Sequence, residues 1–100
     1  MSGRDPAGRL ARALAATRGP GFVVRGARAR PWSSATFTGA RVALDLCCAA
    51  DPVLPGWLES LPEAELPMPG WYLADLCVRS VDCGADAVAV VLDALVLEAA

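Results

Sequence analysis

DAVAVVLDALVL, residues 86–97, is the run on which the fold turns. Wound as a helix, it sets Asp86 and Asp93 seven apart on one narrow polar stripe. Extended, it is a Val-rich buried strand following the turn VDCGA at 81–85. β-branched side chains and the preceding turn favour the strand. Just upstream, residues 71–80 alternate. Tyr72, Ala74, Leu76 and Val78 face one way, and Leu73, Asp75, Cys77 and Arg79 the other, more polar way. The C-terminal part of the chain therefore reads as two strands joined by a turn at Gly84.

Further towards the N-terminus, PEAELPMPG (62–70) holds three prolines and reads as an extended connection. DPVLPGWLESL (51–61) reads as a short helix, with Asp51 as N-cap and Pro52 at the first position, or with a later start near Pro55. Trp57, Leu58 and Leu61 give that helix an apolar side. RPWSSATFTGARVALDL (30–46) has the composition of a strand whose apolar positions change parity: Phe37 is odd, whereas Val42, Leu44 and Leu46 are even. A β-bulge at Gly39-Ala40 would return both sets to one side. The alternative is a glycine that lets a ligand approach the backbone. Residues 22–28 open with Phe-Val-Val and read as a strand, with ARPWS (29–33) as the turn of a hairpin. AGRLARALAATR (7–18) reads as a helix with Leu10 and Leu14 on one face, ended by Gly19-Pro20-Gly21. Residues 1–6 are expected to fray, and no internal repeat is evident.

The order is thus α-β-β-α-β-β over a single domain of 100 residues. The expected fold class is α+β, in two layers, with an antiparallel four-stranded sheet and helices on one face.

Composition narrows the chemistry. The chain has no His, Lys, Asn, Gln or Ile, and its nine basic residues are all Arg. This pattern is the mark of a GC-rich genome. It also removes the usual near-neutral proton carrier and any Schiff-base lysine. Four cysteines, Cys47-Cys48 and Cys77-x5-Cys83, match the number of zinc ligands but not the spacing, since neighbours in a strand point to opposite faces. They read as buried small apolar side chains, and no cofactor or metal is expected. Ser33, Ser34, Thr36 and Thr38 have no activating base nearby in sequence. Paired acids such as Glu63/Glu65 and Asp82/Asp86 read as solvated charge. The residues lean away from an enzyme. A thiol- or carboxylate-based one would need Asp45, Asp75, Cys47 or Cys77 gathered in a concave site.

Net charge is −2, but it is unevenly spread. Residues 1–30 carry seven Arg against Asp5 alone, and residues 31–100 carry Arg41 and Arg79 against ten acids. Arg9, Arg12, Arg18, Arg25, Arg28 and Arg30 are the candidate residues for an anionic partner, nucleic acid included. The acidic body of the same chain competes for them. Arg41, Asp45, Asp75 and Arg79, on the polar strand faces, are the candidate interface. No stretch has the length of a membrane span or the form of a secretory signal, so a cytoplasmic location with reduced thiols is expected.

RPWSSATFTGAR (30–41) together with LPMPGWYLADL (66–76) resembles short proteins of unassigned function encoded by GC-rich bacterial genomes. The resemblance implies a bacterial, cytoplasmic domain and brings no activity, cofactor or site. The leading expectation is a small non-enzymatic domain acting by protein–protein contact, chiefly self-association into a homo-oligomer through an exposed sheet face or edge. The alternative is nucleic-acid binding through the Arg-rich N-terminal segment.

Overall fold

A computed structural model of the chain describes residues 5–99. Helix α1 (Pro6–Ala15) is followed by strands β1 (Phe22–Ser33) and β2 (Thr38–Ala49), then helix α2 (Leu54–Ser60), which runs into a 3-10 turn at Leu61–Glu63. Strands β3 (Trp71–Cys83) and β4 (Ala87–Glu98) complete the chain. The four strands form one antiparallel sheet in the order β1-β2-β4-β3. This is the expected α+β fold of order α-β-β-α-β-β. The 86–97 run is strand from Ala87 onward, with Asp86 in the turn before it, and it occupies the centre of the sheet beside β2.

The core lies on one side of the sheet. Even-numbered positions of β2 (Ala40, Val42, Leu44, Leu46, Cys48) and of β4 (Val88, Val90, Leu92, Ala94, Val96) are all buried there. Leu10 and Leu14 of α1 and Leu54, Trp57 and Leu61 of the second helical segment join the same cluster. Strict alternation along both central strands fixes their register, since a one-residue slip would turn every one of these side chains to the other face. Trp57 stacks on Phe22 with 5.8 Å between ring centroids.

Several local expectations are corrected. The helix begins inside the stretch expected to fray: Asp5 caps α1, its Oδ1 accepting from Gly8 N at 3.1 Å, and Pro6 takes the first helical position. Residues 1–4 of the stretch expected to fray lie outside the described residues. Asp51 does not cap α2, whose first residue is Leu54; its Oδ1 accepts from Val53 N at 2.8 Å in the preceding turn. The turn expected at 29–33 is strand, because β1 is an edge strand and Pro31 can sit there without a ladder hydrogen bond to lose. The hairpin closes later, where Ser34 N donates to Phe37 O at 2.8 Å and Ser34 Oγ accepts from Phe37 N at 3.1 Å.

No bulge occurs at Gly39. Phe37 belongs to the turn, which is why its parity disagrees, and β2 pairs with β4 without interruption from Gly39 to Ala49. The glycine answers to a neighbouring strand instead: a Cβ at Gly39 would lie 2.0 Å from Val96 O. The bulges are on the edge strands, at Arg25 in β1 and at Ala74 and Arg79 in β3. The bulge at Ala74 reverses the expected facing of Trp71–Leu73 relative to Leu76. Trp71 and Leu73 join Leu76 and Val78 on the core side, and Tyr72 is 65% exposed on the other.

The fold repeats although the sequence does not. Ser34 N to Phe37 O and Gly84 N to Ala87 O close the two hairpins with the same bond, fifty positions apart. Ala43 of β2 stands opposite Asp93 of β4, also fifty positions apart. The two αββ halves are therefore related by an approximate twofold axis normal to the sheet through that pair.

Candidate functional site: the uncovered face of the sheet

Both helices lie on one side, so among the described residues the other side of the sheet has no covering layer. Strand pairing arranges its residues in rows from β1 to β3. One row is Trp32, Gly39, Leu97, Tyr72; the next is Arg30, Arg41, Leu95, Asp75; the next is Arg28, Ala43, Asp93, Cys77; and the next is Gly26, Asp45, Val91, Ser80. Trp32, Val91, Leu95 and Leu97 are half-buried on this face, and Tyr72 is exposed.

The four interface candidates Arg41, Asp45, Asp75 and Arg79 all come to this face. Arg79 sits at the second β3 bulge, and its Nη1 donates to Asp93 Oδ2 at 2.5 Å. With 65% of its side chain exposed, that pair contributes little to stability, about 0–1 kcal/mol.

The six N-terminal arginines do not form one basic arm. Arg9 and Arg12 belong to α1 and Arg18 follows it, on the layer that covers the opposite side of the sheet. Arg12 lies in the last turn, where a cation complements the helix dipole. Arg25 occupies the β1 bulge. Only Arg28 and Arg30 line the central concavity of the uncovered face. There they meet Arg41, Arg79 and Asp93 around a volume of about 360 Å3. Among the described residues, Arg28, Arg30 and Arg41 make no ion pair or side-chain hydrogen bond.

This grouping was missed in the sequence because Pro31 argued for a turn. The signal against that was the period-two run Arg28-x-Arg30-x-Trp32, which is how a strand places three side chains on one face.

The thiols and carboxylates remain apart. Cys47 and Cys48 fall on opposite faces, Cys48 buried in the core and Cys47 half-buried on the uncovered side. Burial pushes the Cys48 thiol up from its ordinary range, and the neighbouring Cys47 adds to the shift. Asp45 and Asp75 are exposed, on strands separated by β4. Among the described residues, no three His, Cys, Asp or Glu side chains come together as a metal-ligand group, and no helix is long and apolar enough to cross a membrane.

Comparison with known proteins adds nothing to this geometry: no family model, curated protein or solved structure matches the chain.

Proposed function

We propose that the chain is a small non-enzymatic domain that acts by protein–protein contact, and that its uncovered sheet face receives a second copy of itself. The carrying observation is the row Arg30, Arg41, Leu95, Asp75, which is basic at its β1 end and acidic at its β3 end. A twofold axis lying in the interface, parallel to the strands and between β2 and β4, sets β1 of one copy over β3 of the other. Arg30 then meets the second copy's carboxylate at position 75, and Arg41 packs over its leucine at position 95. In the adjacent row Trp32 meets the tyrosine at position 72. Stacked sheets rotate by about 30°. That displaces Arg30 by about 5 Å, which its long side chain spans.

Area supports the same occupant. Four strands of about twelve residues cover about 760 Å2 at 4.8 Å between strands and 3.3 Å per residue, close to the roughly 800 Å2 per partner of a stable interface. The edges are poorer candidates. β1 carries a bulge, Pro31 and three arginines, and β3 carries two bulges, all devices that deter strand addition.

Mass by light scattering across a concentration series at low and high salt tests the reading. A dimer that weakens with salt is expected; a monomer at millimolar concentration in low salt overturns it.

A further inference from the structure

We infer that the concavity at the centre of the uncovered face is a binding site for a phosphate group, of the kind borne by a small phosphomonoester. The site is built from three strands. Arg28 and Arg30 project from β1 two residues apart, Arg41 stands directly opposite Arg30 on β2, and Arg79 reaches in from β3. Four guanidiniums line the volume against one carboxylate, Asp93, which already holds Arg79. Like charges directly opposite each other across a strand pair destabilise a sheet. The Arg30–Arg41 pair is therefore a cost to the empty fold, and a bound dianion would remove it.

The shape of the cluster selects phosphate over carboxylate. One guanidinium satisfies both oxygens of a carboxylate in a bidentate pair. Three arginines that line one concavity from two strands and, among the described residues, hold no carboxylate suit the three terminal oxygens of a tetrahedral dianion. The volume, about 360 Å3, is at the small end of the range for ligand pockets, enough for a phosphate with a modest organic group.

The same chemistry is present in a nucleic-acid backbone, and the surroundings decide between them. Asp75 lies along the Arg41 row and Asp45 two positions from Ala43, so carboxylates flank the basic centre on both sides. A single phosphate sits between them, whereas a strand of successive phosphates would run over them. The observations behind the site do not depend on self-association, but the proposed pairing covers the same concavity, so phosphate and a second copy are alternatives at this face. If the proposed pairing holds, the second copy's carboxylate at position 75 and the phosphate compete for Arg30.

The test is a titration of the full chain with inorganic phosphate, pyrophosphate and a twelve-nucleotide oligothymidylate at constant ionic strength. It is read by calorimetry and by NMR of the arginine Nε–H groups. Saturable binding of phosphate and pyrophosphate is expected, with shifts at Arg28, Arg30, Arg41 and Arg79 and none at Arg9, Arg12 or Arg18. Arg41→Gln should weaken pyrophosphate at least tenfold. Asp93→Asn should tighten it severalfold by removing the repelling carboxylate and freeing Arg79. Non-saturating shifts, equal response of the α1 arginines, or unchanged affinity in Arg41→Gln overturn the site. Tighter binding of the oligonucleotide than of pyrophosphate overturns the phosphomonoester assignment in favour of a backbone site. Light scattering on the same samples keeps the two readings separate. A monomer that binds pyrophosphate retains the site without self-association, and a chain that binds none at concentrations where it is monomeric rejects the site alone.

Discussion

The indole N–H of Trp57 donates to Thr17 Oγ1 at 2.7 Å, and that hydroxyl donates in turn to Leu14 O at 2.6 Å. This relay ties α2 to the end of α1 across forty residues of chain. It satisfies the single polar atom of a side chain that is otherwise buried against Phe22 and the core. Gly19 lies against the same ring: a Cβ there would sit 2.5 Å from Trp57 Nε1. The Gly-Pro-Gly segment that ends α1 thus also makes room for the indole.

Thr17→Val leaves the Trp57 N–H buried without an acceptor, a loss of about 1–3 kcal/mol. Thr17→Ser keeps the hydroxyl and should recover most of it. Chemical denaturation of the two variants checks this. Equal stability of Thr17→Val and the parent chain would mean that the indole finds water.

Gly39→Ala sets a Cβ against the backbone of β4, since Val96 O occupies the place at 2.0 Å. Neither central strand can yield without disturbing the alternation that buries Val42, Leu44, Leu92 and Val96. The expected cost is about 3 kcal/mol, at the upper end for overpacking, or loss of the folded state. Gly56→Ala is the control, because nothing lies within 4 Å of its Cβ position. It should be neutral or stabilising by about 0.5 kcal/mol. Thermal unfolding of both variants makes the comparison.

Periodicity made the central strands legible, and the edge strands hid what periodicity cannot report. In β2 and β4 alternation is unbroken, so Val42, Leu44 and Leu46 were legible as one face and 86–97 as a buried strand. In β3 the bulges at Ala74 and Arg79 shift parity twice, and no residue type there announces a bulge. Tyr72 was accordingly assigned to the wrong face. The internal repeat was invisible for a related reason. Buried partners such as Val42/Leu92 and Leu46/Val96 are similar but common, while their outward neighbours Arg41/Val91 and Asp45/Leu95 are unlike. What survives of the repeat is hydrogen bonding, which leaves little trace in side-chain identity. Arg41, Asp45, Asp75 and Arg79 were legible as one face because three of them sit at plain strand positions. The participation of Arg28 and Arg30 depended on seeing that Pro31 lies on an edge.

Cys48 links stability to alkaline pH. Burial raises its thiol above the ordinary range in the folded chain, with Cys47 adding to the shift. The neutral form is thus favoured on folding. Its contribution is fully present below the unfolded thiol's range and is lost as pH rises through that range towards the folded value. Denaturation midpoints of the parent chain should fall between pH 7 and pH 10 by more than those of Cys48→Ala, in which that titration is absent and the other groups are shared. Thiol alkylation of the native chain gives an independent check: exposed Cys77 and Cys83 should react first and Cys48 only on unfolding.

Charge reversal tests the arrangement of the two copies. Arg30→Glu sets a carboxylate against the second copy's position 75, and Asp75→Arg sets a guanidinium against its position 30. Like charges brought together in an interface cost several kcal/mol, so each single variant should weaken self-association at least tenfold. Together the two substitutions restore opposite signs with their direction exchanged, and the double variant should return to within about threefold of the parent. Both side chains are exposed, so Asp75→Arg should move the stability of the isolated fold by no more than about 0.5 kcal/mol, while Arg30→Glu, which turns the repulsion with Arg41 into attraction, should raise it by about 0.2–1 kcal/mol; thermal unfolding followed by circular dichroism on the same samples verifies this. Only an axis parallel to the strands brings β1 over β3. An axis across the strands would stack β1 on β1, where Arg30→Glu could strengthen association and the double variant would gain nothing from its second change. Sedimentation equilibrium of the four proteins distinguishes these patterns, and unchanged association in both single variants would remove the uncovered face from the interface.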